Sequence, residues 1–84
     1  MAYAVEVPRK VQKQVSLLPT DARNGVEVAI GDLGQDPRPP GCRRLSGRDE
    51  WRIRVGDYRI VYEIHDDSTK VLVLEVWHRQ RGYR

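Results

Sequence analysis

The apolar positions along the chain change period more than once. Tyr3, Val5 and Val7 alternate with Ala4 and Glu6, the two-residue repeat of a half-buried strand. Pro8 then suits the first turn of a helix, where its missing N–H costs nothing. Val11, Val15 and Leu18 follow at i, i+4 and i+7 and make one apolar stripe. Pro19 ends that helix, and Thr20 is placed as the N-cap of a second. The second stripe is Ala22, Val26, Ala29, Ile30 and Leu33. Gly25 and Gly31 each weaken this helix by about 1 kcal/mol relative to alanine, so packing must hold it. Gly34 reads as its C-cap. Asp36-Pro37-Arg38-Pro39-Pro40-Gly41 is a stiff connector, Cys42 to Leu45 a short strand, and Ser46-Gly47-Arg48-Asp49 a turn.

The clearest segment follows. Trp51-Arg52-Ile53-Arg54-Val55 alternates strictly, as does Tyr58-Arg59-Ile60-Val61-Tyr62-Glu63-Ile64. Gly56-Asp57 between them is a two-residue hairpin turn. A loop from His65 to Thr69 leads into Val71-Leu72-Val73-Leu74-Glu75-Val76-Trp77, a last strand. The order predicts a single α+β domain, β-α-α-β-β-β with a possible further strand. A helical hairpin packs on one face of a mainly antiparallel sheet.

A two-residue turn fixes the pairing register. Val55 should face Tyr58, Ile53 face Ile60 and Trp51 face Tyr62, all six on one apolar side. On the other side Arg54 should lie opposite Arg59, and Arg52 opposite Val61. Like charges directly across a ladder destabilise it. Three guanidiniums on one patch therefore require either neutralising carboxylates or an anionic guest. Glu63 and Glu75 are the candidates for neutralisation, which would leave an ordinary salt-bridged surface. In the last strand Leu72, Leu74 and Val76 are expected to face the helices. The alternation then puts Trp77 and Arg79 on the arginine side, with His78 on the opposite parity.

Charge sharpens this picture. The chain has 84 residues, 15 basic and 12 acidic, for a net charge of +3. Twelve of the basic groups are arginine, and residues 43–84 carry the whole excess. This excess fits either an anionic partner, nucleic acid being the commonest, or a plain solubility surface. No apolar run approaches the roughly 20 residues of a membrane span, and no secretory leader pattern opens the chain. One cysteine, Cys42, forms neither an internal disulfide nor a cysteine zinc site. No carboxylate pair, nucleophilic triad, metal-ligand spacing or phosphate loop competes with the arginines, so no metal and no cofactor is expected. A cytoplasmic protein is the default.

Three segments carry a family resemblance: Arg44-Leu45-Ser46-Gly47, then Trp51 to Tyr62, then His78-Arg79 with Tyr83 four residues on. Together with the element order they resemble the RelE family of bacterial toxins, in the RelE/ParE superfamily, over essentially residues 1–84. The resemblance implies the toxin of a type II toxin-antitoxin system, an endoribonuclease that cuts mRNA in the ribosomal A site and stops translation. It implies a RelB-like antitoxin partner, contact with operator DNA only through that complex, and no membrane. By motif position the catalytic groups fall on Arg52, Arg54, Arg59, Arg79 and Tyr83. Candidate RNA contacts, read from the residues and not from the motif, are Arg52, Arg54, Trp77, His78 and Arg81; Trp77 either stacks on a nucleobase or forms a lid over Val61 and Val73. Three positions depart from the family pattern: Arg52 and Arg54 stand where lysines are usual, and Trp77 where glycine is common. A guanidinium stays protonated, so neither arginine can serve as a base.

The chemistry such residues support is attack of the substrate 2′-OH on the adjacent phosphorus. Arg59 and Arg79 would bind the scissile phosphate, and Arg52 and Arg54 flanking phosphates. Either Tyr83 or His78 would take the proton. Two other functions remain open at this point. One is a ParE-like inhibitor of DNA gyrase without ribonuclease activity. The other is an inactive toxin kept as an antitoxin-binding or repressor partner.

Overall fold

The computed structural model describes residues 2–45 and 49–80. The element order is β1 (Ala4–Glu6), α1 (Arg9–Ser16), α2 (Thr20–Asp32), β2 (Arg43–Arg44), β3 (Glu50–Val55), β4 (Tyr58–His65) and β5 (Lys70–His78). The five strands form one sheet in the order β1-β5-β4-β3-β2. Only β1 against β5 is parallel; the other three pairings are antiparallel. Of the turn expected at Ser46-Gly47-Arg48-Asp49, residues 46–48 lie outside the described residues.

Each helix brings a valine pair or its equivalent to the sheet. Val11 and Val15 of α1 are buried, as are Val26 and Ile30 of α2. They meet Ile53, Ile60, Tyr62, Ile64, Val71, Val73 and Val76 in one apolar cluster. Two helix-end expectations need correction. Thr20 lies inside α2 and Pro19 occupies the N-cap, with no side-chain cap bond. Pro19 enters the helix with extended backbone, φ −55 and ψ 150. Gly34 is not a left-handed C-cap: among the described residues positive φ occurs only at Thr69, Gly41 and Gly56. Its role is close approach. The Tyr3 amide donates to the Gly34 carbonyl at 2.7 Å. A Cβ on Gly34 would sit 3.1 Å from the Tyr3 carbonyl oxygen and 3.2 Å from Val5 Cγ2.

The hairpin register is the expected one: Val55 opposite Tyr58, Arg54 opposite Arg59, Ile53 opposite Ile60, Arg52 opposite Val61 and Trp51 opposite Tyr62. Gly56 takes φ +59 while Asp57 stays in the ordinary region. That is the pattern of a type II′ turn, whose twist matches a right-handed ribbon.

In β5 the expected parity holds over only half the strand. Val71 and Val73 are fully buried against the helices, whereas Leu72 and Leu74 are half-buried. The register with β4 shifts between Val61 and Tyr62: Tyr62 pairs with Val73, but Val61 pairs with Glu75. Leu74 is the extra residue of this bulge. The bulge inverts the parity, so Val76 returns to the helix side and Trp77 falls opposite Arg59.

A polar clasp closes the end of the sheet away from the hairpin turn. Asp66 accepts from the Tyr3 hydroxyl at 2.6 Å and from both Arg38 amino groups at 3.2 and 2.9 Å. The Arg38 guanidinium also lies over the Trp51 ring, 5.0 Å from its centroid. The buried Tyr62 hydroxyl donates to the Pro37 carbonyl at 2.7 Å. Asp66, which the sequence places in an exposed loop, thus ties β1 and the proline-rich connector to the β4–β5 loop.

Candidate nucleic-acid interface

Two cross-strand rows build the site on the face turned away from the helices. One row reads Arg54, Arg59, Trp77 across β3, β4 and β5. The next reads Arg43, Arg52, Val61, Glu75 across β2 to β5. Arg54 is exposed, and Arg52, Arg59 and Trp77 are half-buried. The Arg59 Nε and Nη1 atoms and the Trp77 Nε1 atom are shielded from solvent. Val61 is only 5 % exposed although it lies on this face. The surface around Arg59 is therefore a partly dry floor and not a row of freely waving side chains.

At the hairpin tip Arg54, Arg59 and Arg79 line one small cleft of about 30 Å³, with Gly56, Asp57 and Tyr58. Arg79 lies just past the end of β5 and is anchored there by its own amide, which donates to the Asp57 carbonyl at 2.8 Å. Its Nε is 3.6 Å from Asp57 Oδ1, with both side chains more than half exposed. Asp57 is a member of the site that the hairpin pattern alone reads only as a turn residue. A carboxylate at the lip competes with any incoming anion for Arg79.

The expected neutralisation by Glu63 takes another form. The Glu63 carboxylate lies 2.9 Å from His65 Nε2 on its own strand. The nearby Glu6 pairs with Lys70 at 3.3 Å. Glu75 stands opposite Val61, one row from Arg59.

The remaining candidates separate. His78 stands opposite Tyr58, on the helix side of the sheet, and meets its ring edge-on at 5.1 Å between centroids. Its Nδ1 accepts from the Gln80 amide at 3.1 Å. It lines a groove of about 530 Å³ beside Gln14, Leu17, Leu18 and Pro19, not the arginine cleft. The alternation carries through the end of β5, so His78 stays on the face away from Arg59. Tyr83 and Arg81 lie outside the described residues. No group of three or more His, Cys, Asp or Glu side chains suited to a metal ion occurs among the described residues. No helix among them is long and apolar enough to cross a membrane.

Comparison with known proteins gives this face a context. A family model described as the ParE toxin of the type II toxin-antitoxin system parDE matches residues 6–83. The chain belongs to the RelE/ParE superfamily of type II toxins. This toxin is 35 % identical to the toxin RelG of Mycobacterium tuberculosis over 88 residues, covering 100 % of this chain and 99 % of the relative. Its fold superposes on the archaeal RelE-RelB complex of Pyrococcus horikoshii with TM-score 0.85 and 26 % identity, covering 98 % of this toxin and 100 % of that chain. The RelBE2 toxin-antitoxin complex of Mycobacterium tuberculosis matches with TM-score 0.76 and 30 % identity, over 94 % of this toxin and 100 % of that chain.

Proposed function

We propose that this toxin is an endoribonuclease that cleaves mRNA in the ribosomal A site and so inhibits translation. The observation that carries the reading is the convergence of Arg54, Arg59 and Arg79 on one cleft at the hairpin tip. Guanidiniums bind the non-bridging oxygens of a phosphate in pairs. They also stabilise the extra charge of a phosphorane as the 2′-oxygen bonds to phosphorus and the 5′-oxygen leaves. Holding the 2′-OH in line with the leaving group supplies much of the remaining acceleration. The products carry a 2′,3′-cyclic phosphate and a 5′-hydroxyl.

In this assignment Arg59 and Arg79 grip the scissile phosphate. Arg54 and Arg52 hold its neighbours, and Trp77 offers an indole beside Arg59 for base contact. Tyr83, by its family position, accepts the 2′-OH proton. His78 is less suited to that task because it faces the helices. The antitoxin is RelB-like, in keeping with the complexes in which the structural relatives are held.

Growth arrest with Arg59→Ala and Arg79→Ala tests the reading. Both variants should fold, bind the antitoxin and lose toxicity. Full toxicity in both would remove the assignment. The matching family model is named for ParE, which favours gyrase inhibition as a second reading. Primer extension on a translated message separates the two. New ends on ribosome-bound mRNA support cleavage, whereas intact message with broken chromosomal DNA supports the gyrase reading.

A further inference from the structure

The basic face continues beyond the residues that the family motif marks. Arg43, on the two-residue edge strand β2, stands directly opposite Arg52. Residues paired across a ladder share a face, so Arg43 lies on the side of Arg54 and Arg59. Its neighbour Arg44 belongs to the other face and is bound to Asp49 at 2.8 Å. Arg43 is exposed, and its cross-strand neighbour is a second guanidinium instead of a carboxylate.

The Arg43–Arg52 pair repeats, one strand over and one row down, the like-charge pairing of Arg54 with Arg59. Each such pair opposes folding. An edge strand does favour charge as protection against unwanted pairing. That need would be met equally by a glutamate. From β2 to β4 the sheet spans two strand spacings, roughly 10 Å. Measured across the strands, that distance separates Arg43 from Arg59 of the cleft.

We infer that Arg43 is a phosphate-contacting residue which, with Arg52, forms a second subsite for single-stranded RNA at the β2 edge. The subsite holds a nucleotide flanking the cleavage point, and the RNA runs across the strands from edge to hairpin tip. The inference rests on the ribonuclease reading, since it assumes an RNA guest.

The test is binding of a 2′-O-methylated single-stranded RNA oligonucleotide, which lacks the attacking hydroxyl, measured by fluorescence anisotropy between 50 and 200 mM salt. Each phosphate contact to a single strand adds about 0.7 to the slope of log affinity against log salt. Arg43→Ala should lower that slope by about 0.7 and weaken binding several-fold at low salt. Arg43→Lys, which keeps the charge, should restore the slope. Lys10→Ala, exposed on α1 on the opposite side of the sheet, should leave it unchanged. An Arg43→Ala slope equal to the wild-type value overturns the inference alone. A Lys10→Ala loss as large as that of Arg43→Ala overturns it too, by reducing it to net charge. Absence of salt-dependent binding in the wild type removes the RNA reading and the subsite with it.

Discussion

Arg54 and Arg59 face each other across the β3–β4 ladder, and the Trp77 indole continues the same row on β5. Two guanidiniums in directly opposed positions repel. The sheet tolerates them because Ile53, Ile60 and their neighbours bury the reverse side against the helices. The fold therefore holds its charged row at a cost in stability, as functional surfaces commonly do.

Arg54→Thr should relieve that repulsion. Threonine fits a strand, and the expected gain is about 0.2–1 kcal/mol. The same substitution should weaken binding of a single-stranded RNA oligonucleotide. Denaturant unfolding and anisotropy on one preparation check both halves; loss of stability would show that Arg54 supports the sheet.

Asp57 holds Arg79 through its carbonyl and competes with anions through its carboxylate. Asp57→Asn keeps the carbonyl and removes the charge. RNA affinity should rise several-fold at low salt, with the gain fading as salt screens the site. An exposed pair of this kind adds little to stability, so the unfolding midpoint should hardly move.

Asp66 carries an acid-sensitive part of the fold. Its bonds from Arg38 and Tyr3 lower its pKa to about 2. A carboxyl depressed in the folded state stabilises fully above its unfolded pKa, near 3.9, and that contribution is lost as pH falls toward 2. Asp66→Asn should therefore flatten the pH dependence of stability between about pH 4 and pH 2. Acid unfolding followed by circular dichroism would show the change, and identical acid profiles would refute the role of the clasp.

The β5 bulge makes adjacent residues unequal. Val73 is fully buried and Leu74 is not. Val73→Ala should cost about 2 kcal/mol, and Leu74→Ala less despite the larger truncation. The reverse order in urea unfolding would contradict the register shift.

The element order, the helix stripes and the hairpin register were legible in the chain because each rests on local rules. Alternation sets strand faces, a two-residue glycine turn fixes which residues oppose, and helical spacing marks the buried side. This alone placed Arg54 opposite Arg59. It failed in β5, where Val71-Leu72-Val73-Leu74 is apolar on both parities and no period can choose a face or reveal an inserted residue. The packing of Val71 and Val73 against the helices made that choice. Tertiary structure likewise decided what sequence distance conceals: Asp66 beside Tyr3 and Arg38, Asp57 at Arg79, His78 turned to the helices and Arg43 aligned with Arg52. Such contacts join residues far apart in the chain or rest on strands too short to show a period. Only assembly of the sheet brings them together.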